Sequence, residues 1–253
     1  MGLLSLIIAF MLYIAMIVVN GLANALPLNG ITTGDVSFKY PNLFQPSGIT
    51  FSIWGIIYLL LFSYLVIQAI NVNQSKTEEV KKTYTRTNLL FSISSILNMI
   101  WLFTWHYDYM FLSTVIILML LITLILLVKT IPSNLRFIKA IFSVYLGWIT
   151  VASIANITIM LVKWGMPSDG LIAVILTILV LLVGTIISLL WIDRENDYVF
   201  GFVIIWAYLG ILIRHLTQEN LDQMYPAIVT SVIILMICLI FTNTRVLNKT
   251  LHR

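Results

Sequence analysis

Charged residues occur in this chain only between long apolar stretches, and this pattern limits its fold more than any other feature. A helix needs about 20 apolar residues to cross a bilayer core of about 30 Å, and only helices and closed barrels satisfy their backbone hydrogen bonds in lipid. Stretches of this kind cover residues 3–22, 49–70, 87–105, 109–128, 140–162, 171–192, 198–213 and 225–244. The sequence therefore predicts an all-α protein, a polytopic transmembrane helical bundle with about eight spans.

Composition supports lipid as the main solvent of the chain. Hydrophobic residues make up 60% of the sequence and charged residues 9%, and the mean hydropathy is +1.04. Soluble domains carry about 25% charged residues. The net charge of +4 fits contact with anionic lipid headgroups. We expect the lipid bilayer as a partner and no binding of nucleic acid, because no basic stripe is combined with stacking aromatics.

The basic residues divide unequally between the two sides of the predicted bundle. If the spans alternate in direction, eleven Lys and Arg residues share a side with the N-terminus, and only Lys39, Lys163 and Arg214 lie opposite. Basic residues are enriched in cytoplasmic loops. We therefore expect a multi-pass protein of the cell (plasma or inner) membrane with both termini in the cytoplasm.

A long outer loop, residues 25–48, connects the first two spans. Its prolines and glycines preclude one continuous helix. Loops of this length are commonly lids or binding loops, but aromatics such as Phe38 and Tyr40 also suit a loop that rests among lipid headgroups. The sequence leaves both interpretations open.

The predicted membrane interior lacks the residues that most membrane chemistry requires. No acid or base lies inside a predicted span, whereas proton relays and ion pumps use such groups. His106, His215 and His252 fall near span ends or in the tail, where we expect solvated interfacial side chains. No metal-ligand spacing and no nucleophile arrangement is present in the sequence. We expect no catalytic residues, no metal site and no required cofactor, which favours a protein that is not an enzyme.

Amides and aromatic rings are the polar and polarisable groups that remain in the spans. The amides are Asn20, Asn24, Asn98 and Asn156. Hydrogen bonding between helices is the simplest role for an amide in a membrane, at about 0.6–2 kcal/mol per contact. Aromatic pairs also recur at helical spacing, namely Trp54 with Tyr58, Trp101 with Trp105, and Tyr145 with Trp148. A pocket lined by indoles and amides would instead suit a flat, largely apolar ligand.

The motifs at residues 44–58, 97–101 and 145–156 resemble those of the TspO/MBR family, the tryptophan-rich sensory or translocator proteins. Residues 44–58, FQPSGITFSIWGIIY, are similar to the start of that family's second helix. The pair Leu97-Asn98 followed by Trp101 resembles its third helix, and residues 145–156, with Tyr, Trp, Ala and Asn in order, resemble its fifth. The resemblance covers about residues 1–163.

The resemblance implies a five-helix bundle over 1–163, often a homodimer, with a cavity near the first loop for porphyrins, other tetrapyrroles or related hydrophobic small molecules. The residues implied to line that cavity are Trp54, Asn98, Trp148 and Ala152. Those implied to shape it are Pro46, Phe51, Tyr58 and Trp101. Residues 164–253 would add transmembrane helices of unknown role.

Sensing or transport of a bound hydrophobic molecule is the function that these expectations favour. Two alternatives remain open at this point. One is a secondary transporter or permease that uses all eight spans, and the other is a membrane scaffold whose amides and small residues serve only assembly. Sterol binding is unsupported, because no tyrosine follows Asn156 where the proposed sterol motif needs it.

Overall fold

The computed structural model describes residues 2–25, 28–71, 77–219, 221 and 224–251. This part of the chain forms nine α-helices and no strand. The helices are α1 (Gly2–Ala25), α2 (Thr33–Phe38), α3 (Ile53–Asn71), α4 (Glu78–His106), α5 (Met110–Thr130), α6 (Arg136–Lys163), α7 (Gly170–Glu195), α8 (Tyr198–Thr217) and α9 (Pro226–Leu251). All except α2 are long and apolar enough to cross a membrane, which confirms the predicted bundle of eight spans.

Several helices extend beyond the apolar stretches that predicted them. Helix α4 begins at Glu78 rather than at residue 87, and α9 continues to Leu251 rather than ending at 244. Glu78 and Glu79 occupy the first turn of α4, where negative charge stabilises a helix, and Glu78 pairs with Lys81 at 2.7 Å. Charges therefore mark where a span leaves lipid, but they do not end the helix.

The long outer loop is partly ordered into short helices. A 3₁₀ turn covers Leu28–Gly30, α2 follows it, and a second 3₁₀ turn, Gly48–Ser52, leads into α3. Asn29 and Gly30 both have positive φ, at 57° and 80°. Such values favour Asn and Gly and allow the chain to reverse after α1. Pro27, one of the residues predicted to break this segment, lies outside the described residues.

The chain forms two compact units. The first contains Met1–Val36 and Ile53–Ile149, and the second contains Ser37–Ser52 and Thr150–Arg253. The boundaries fall inside the outer loop, at the start of α3 and inside α6. The functional division into 1–163 and 164–253 stays a prediction.

The first unit has an aromatic core. Helix α1 packs against α3 and α4, and α4 also packs along α5. The rings of Tyr64, Phe91 and Phe142 meet edge to face with centroids 4.9–5.8 Å apart, which joins α3, α4 and α6. The Tyr64 hydroxyl donates to Asn88 Oδ1 at 2.7 Å, and Asn88 Nδ2 donates to Ser5 Oγ in α1 at 3.1 Å.

In the second unit α7, α8 and α9 pack against one another, and α8 also holds the end of the outer loop. The backbone N–H of Ser47 donates to Gly210 O at 3.0 Å, and Trp206 Nε1 donates to Thr50 O at 3.1 Å. A Cβ on Gly210 would lie 2.9 Å from the Cβ of Thr50. The glycine therefore permits the loop to approach the helix this closely.

Gly210→Ala should destabilise the protein. The added methyl group meets the Thr50 side chain where Thr50 is buried, so that the loop must shift, and overpacking of this kind costs about 1–3 kcal/mol. Reversible unfolding in mixed micelles measures the effect. Gly55→Ala in α3 is the matched control, because a Cβ there has no neighbour within 4 Å. Equal stability of the two variants would contradict the close approach.

Candidate functional site

Trp54, near the start of α3, lies among four other aromatic rings of the first unit. It stacks on Tyr58 one turn later, with centroids 5.6 Å apart, and on Trp101 of α4 at 6.2 Å. Tyr145 and Trp148, both on α6, form T-shaped pairs with it at centroid distances of 6.1 and 6.2 Å. These distances and angles are the ones that aromatic pairs prefer. Trp54 itself is half-buried, whereas Trp101 and Trp148 are buried.

A chain of side-chain hydrogen bonds joins four helices beside these rings. The Tyr58 hydroxyl of α3 donates to Asn20 Oδ1 of α1 at 2.8 Å. Asn20 Nδ2 donates to Asn98 Oδ1 of α4 at 2.8 Å, and Asn98 Nδ2 donates to the Tyr145 hydroxyl of α6 at 3.0 Å. Asn20, Asn98 and Tyr145 are all buried. We call Trp54, Tyr58, Asn98, Trp101, Tyr145 and Trp148, together with Asn20, the aromatic–amide cluster.

Membrane burial explains why the helices associate in this register. An amide in hydrocarbon has no water to bond, and an unpaired polar group is costly there. Asn20 Nδ2 also donates to Met16 O one turn earlier, at 2.9 Å, so that this nitrogen has two acceptors. The cluster therefore combines large flat surfaces with polar groups that bond to one another.

The structure brings together most of the residues that the sequence indicated. Trp54, Tyr58, Asn98, Trp101 and Trp148 all belong to the aromatic–amide cluster. The other three predicted residues belong to the second unit, where Pro46 is buried and Phe51 and Ala152 are partly exposed. Asn20 and Tyr145 join the cluster although neither was among the predicted site residues. The side chain of Asn24 lies outside the described residues.

The first part of the outer loop is fixed to the end of α4. Trp105 Nε1 donates to Thr33 O at 3.1 Å, and His106 Nε2 lies 3.0 Å from the Thr33 hydroxyl. His106 is 1% exposed, so its prediction as a solvated interfacial residue was wrong. The reason is that the loop folds back and covers the helix end, which no local pattern in α4 reveals. His252 lies outside the described residues.

Arg214, near the end of α8, holds the second part of the outer loop. Its side chain is 0% exposed. Nη1 donates to Asn42 O at 2.7 Å and to Gln45 O at 3.0 Å, and Nε donates to Glu219 O at 3.1 Å. Three carbonyl oxygens thus bond to the guanidinium group, and hydrogen bonds to charged groups are roughly twice as strong as neutral ones. The buried Nη2 has no hydrogen-bond partner among the described residues.

His215 makes a parallel contact with the same segment. Its Nε2 lies 2.9 Å from Leu43 O, and its ring packs edge-on against Tyr225 at 6.0 Å. His215 is also 0% exposed, which contradicts its prediction as a solvated residue. Helix α8 continues to Thr217, so both of these polar residues belong to the helix rather than to the loop that follows the predicted span.

Comparison with known families identifies the chain. A family model described as TSPO-like protein matches residues 6–244. The chain belongs to the TSPO-like protein family. The match includes the helices that follow residue 163, which the motif resemblance did not reach. No curated protein and no solved structure matches this TSPO-like chain.

A double-mutant cycle on Asn20 and Asn98 tests the amide chain. Because Asn20 Nδ2 donates directly to Asn98 Oδ1, the two Ala substitutions should be non-additive, with a coupling of about 0.6–1.7 kcal/mol in unfolding free energy. Asn88→Ala paired with Asn98→Ala is the control, since Asn88 bonds to Tyr64 and Ser5 instead. Additivity in both pairs would argue against the observed contact.

Proposed function

We propose that this protein binds a flat, largely apolar small molecule, of the tetrapyrrole or porphyrin type, at the aromatic–amide cluster, and that binding serves sensing or transport rather than catalysis. The observation that supports the proposal is the convergence of Trp54, Trp101 and Trp148 from three helices, with Tyr58 and Tyr145 completing the ring of aromatics. Aromatic faces supply large contact areas to a planar ligand. Membership of the TSPO-like family is consistent with this function.

Trp54 is the ring best suited to meet a ligand first. It is half-buried, whereas the rings around it on α4 and α6 are buried. A planar molecule could therefore stack on its accessible face, or exchange with one of its stacked neighbours, without unfolding the cluster. In this proposal Trp101 and Trp148 form the floor of the site.

In this proposal Asn98 contributes mainly by holding the Tyr145 hydroxyl in position. Its oxygen and nitrogen are engaged by Asn20 and Tyr145, respectively. The Tyr145 hydroxyl receives a hydrogen bond from Asn98, and among the described residues no acceptor is found for its own O–H. A hydroxyl can donate as well as accept. We assign to Tyr145 the role of donor to a polar edge of the ligand, with Asn98 fixing its position.

Trp54→Ala should weaken the binding of protoporphyrin-type ligands by about 2- to 10-fold, because the substitution removes one aromatic face on which the ligand stacks. Titration of the purified protein in nanodiscs, followed by tryptophan quenching, measures the dissociation constant. Tyr145→Phe should weaken binding while retaining the ring. Trp191→Phe is the matched control, because Trp191 belongs to the second unit and bonds to Asp197. Unchanged affinity in both test variants would reject this site.

Measurements of ligand flux and binding distinguish a transporter, a sensor and a scaffold. Ion-gradient-dependent flux in sealed vesicles would favour a secondary transporter that uses all eight spans. Binding without flux would favour sensing, and absence of any binding would favour a scaffold. We also propose that the protein forms a homodimer, and mass photometry of the purified protein measures its oligomeric state.

We further propose that both termini face the cytoplasm in the cell membrane, on the basis of the unequal distribution of Lys and Arg. Single-cysteine variants in a Cys238→Ser background test this orientation. An impermeant maleimide added to intact cells should label Asp169→Cys, whereas Lys82→Cys should react only after permeabilisation. Both positions are exposed, so that equal reagent access is expected once the membrane is opened. The opposite labelling pattern would invert the topology.

A further inference from the structure

A separate cavity of about 80 Å³ lies within the second unit, and no residue of the aromatic–amide cluster lines it. One wall is a face of α7 that contains Ala173, Leu176, Thr177 and Val180. Their spacing of three and four residues places these side chains on one stripe of the helix. Leu161 and Val162, at the end of α6, contribute a second wall. The cavity is thus built mainly from hydrocarbon side chains.

The third wall is the outer-loop segment 42–44, which belongs to no helix. This is the segment whose carbonyls are held by α8, through Arg214 at Asn42 and Gln45 and through His215 at Leu43. Both polar residues are fully buried, although burial of a charge is costly unless it is well bonded. Arg214 and His215 are therefore positioning residues for the cavity wall.

Size and polarity limit what the cavity can hold. An engineered apolar cavity of about 150 Å³ stays dry and takes up benzene. A space of about half that volume is too small for a tetrapyrrole, and pockets for drug-sized ligands run to about 300–1,000 Å³. Apolar walls also give an ordered water too few hydrogen-bond partners. The end of a hydrocarbon chain fits both the volume and the lining.

Two lysines lie close in sequence to lining residues of the cavity, as does one acid, Asp169, which directly follows the lining residue Ser168. Lys163 directly follows the lining residue Val162, and its Nζ lies 5.8 Å from the ring centroid of Tyr40. The Nζ of Lys39 lies 5.6 Å from the same ring. Both lysines are exposed. Together with Arg214, they are the three bases that the alternation of spans places on the outer side, and all three belong to this unit.

We propose that this cavity is a binding site for an anionic membrane lipid, with the end of an acyl chain between α6, α7 and segment 42–44, and with the headgroup near Lys163 and Lys39. Lipid is the solvent of an eight-span protein, so this occupant is present at high local concentration. The site does not depend on a ligand at the aromatic–amide cluster. In this proposal the helices after residue 163 serve to form the lipid site.

Photo-crosslinking in nanodiscs tests the assignment. The probes are phosphatidylglycerol with a diazirine at the end of one chain, the matching phosphatidylcholine, and the matching free fatty acid. We expect phosphatidylglycerol to label the peptides that contain residues 158–180 several-fold more than phosphatidylcholine does. Ala173→Phe should abolish this labelling, because Ala173 is 4% exposed and its side chain lines the cavity. Lys163→Gln should remove the preference for phosphatidylglycerol but retain labelling.

Ile175→Phe is the matched control for added volume on α7, since Ile175 is 49% exposed and is not a lining residue. Its labelling and thermal stability should equal those of the unmodified protein. The proposal is overturned by equal labelling from the two phospholipids, by labelling spread evenly over all spans, or by persistence of labelling in a folded Ala173→Phe protein. Stronger labelling by the free fatty acid than by phosphatidylglycerol would reject a membrane lipid as the occupant.

Discussion

A polar group inside a membrane must find its partner within the protein, and this requirement organises both units. In the first unit Asn20, Asn98 and Tyr145 bond to one another across α1, α4 and α6. In the second unit Nη1 and Nε of Arg214 donate to three backbone carbonyls, while its buried Nη2 has no partner among the described residues. Apolar packing provides little direction between helices in lipid, because lipid tails are as apolar as the side chains. Hydrogen bonds of this kind therefore select which helices meet and in which register.

The outer loop shows how the same requirement acts outside the regular helices. Its first part is fixed by Trp105 and His106 at the end of α4, and its last part is fixed by Arg214 and His215 at the end of α8. In both places a buried side chain bonds to the loop, either at the first residue of the short helix α2 or in segment 42–45, which belongs to no helix. The loop is thus part of each folded unit. Its roles as a lid or as an interfacial loop both stay predictions.

Much of the architecture could be predicted from the sequence, because hydropathy and helical period are local signals. The eight spans and the pairing of aromatic residues at helical spacing needed no long-range information. The partners of Asn98 could not be predicted, because they lie 78 and 47 residues away along the chain. Arg214 and His215 were missed for a related reason. Polar residues at the end of an apolar stretch usually indicate the membrane interface. Here they are buried, because the outer loop folds back onto the end of the helix.

Helix α6 carries both kinds of surface on one continuous element, from Arg136 to Lys163. Tyr145 on this helix belongs to the amide chain, and Leu161 near its end lines the apolar cavity. Each residue of an α-helix advances about 100° around the axis. Deleting one residue between these positions would rotate one surface of the helix by that angle relative to the other. A substitution between these positions leaves the angle unchanged, whereas an insertion or a deletion alters it.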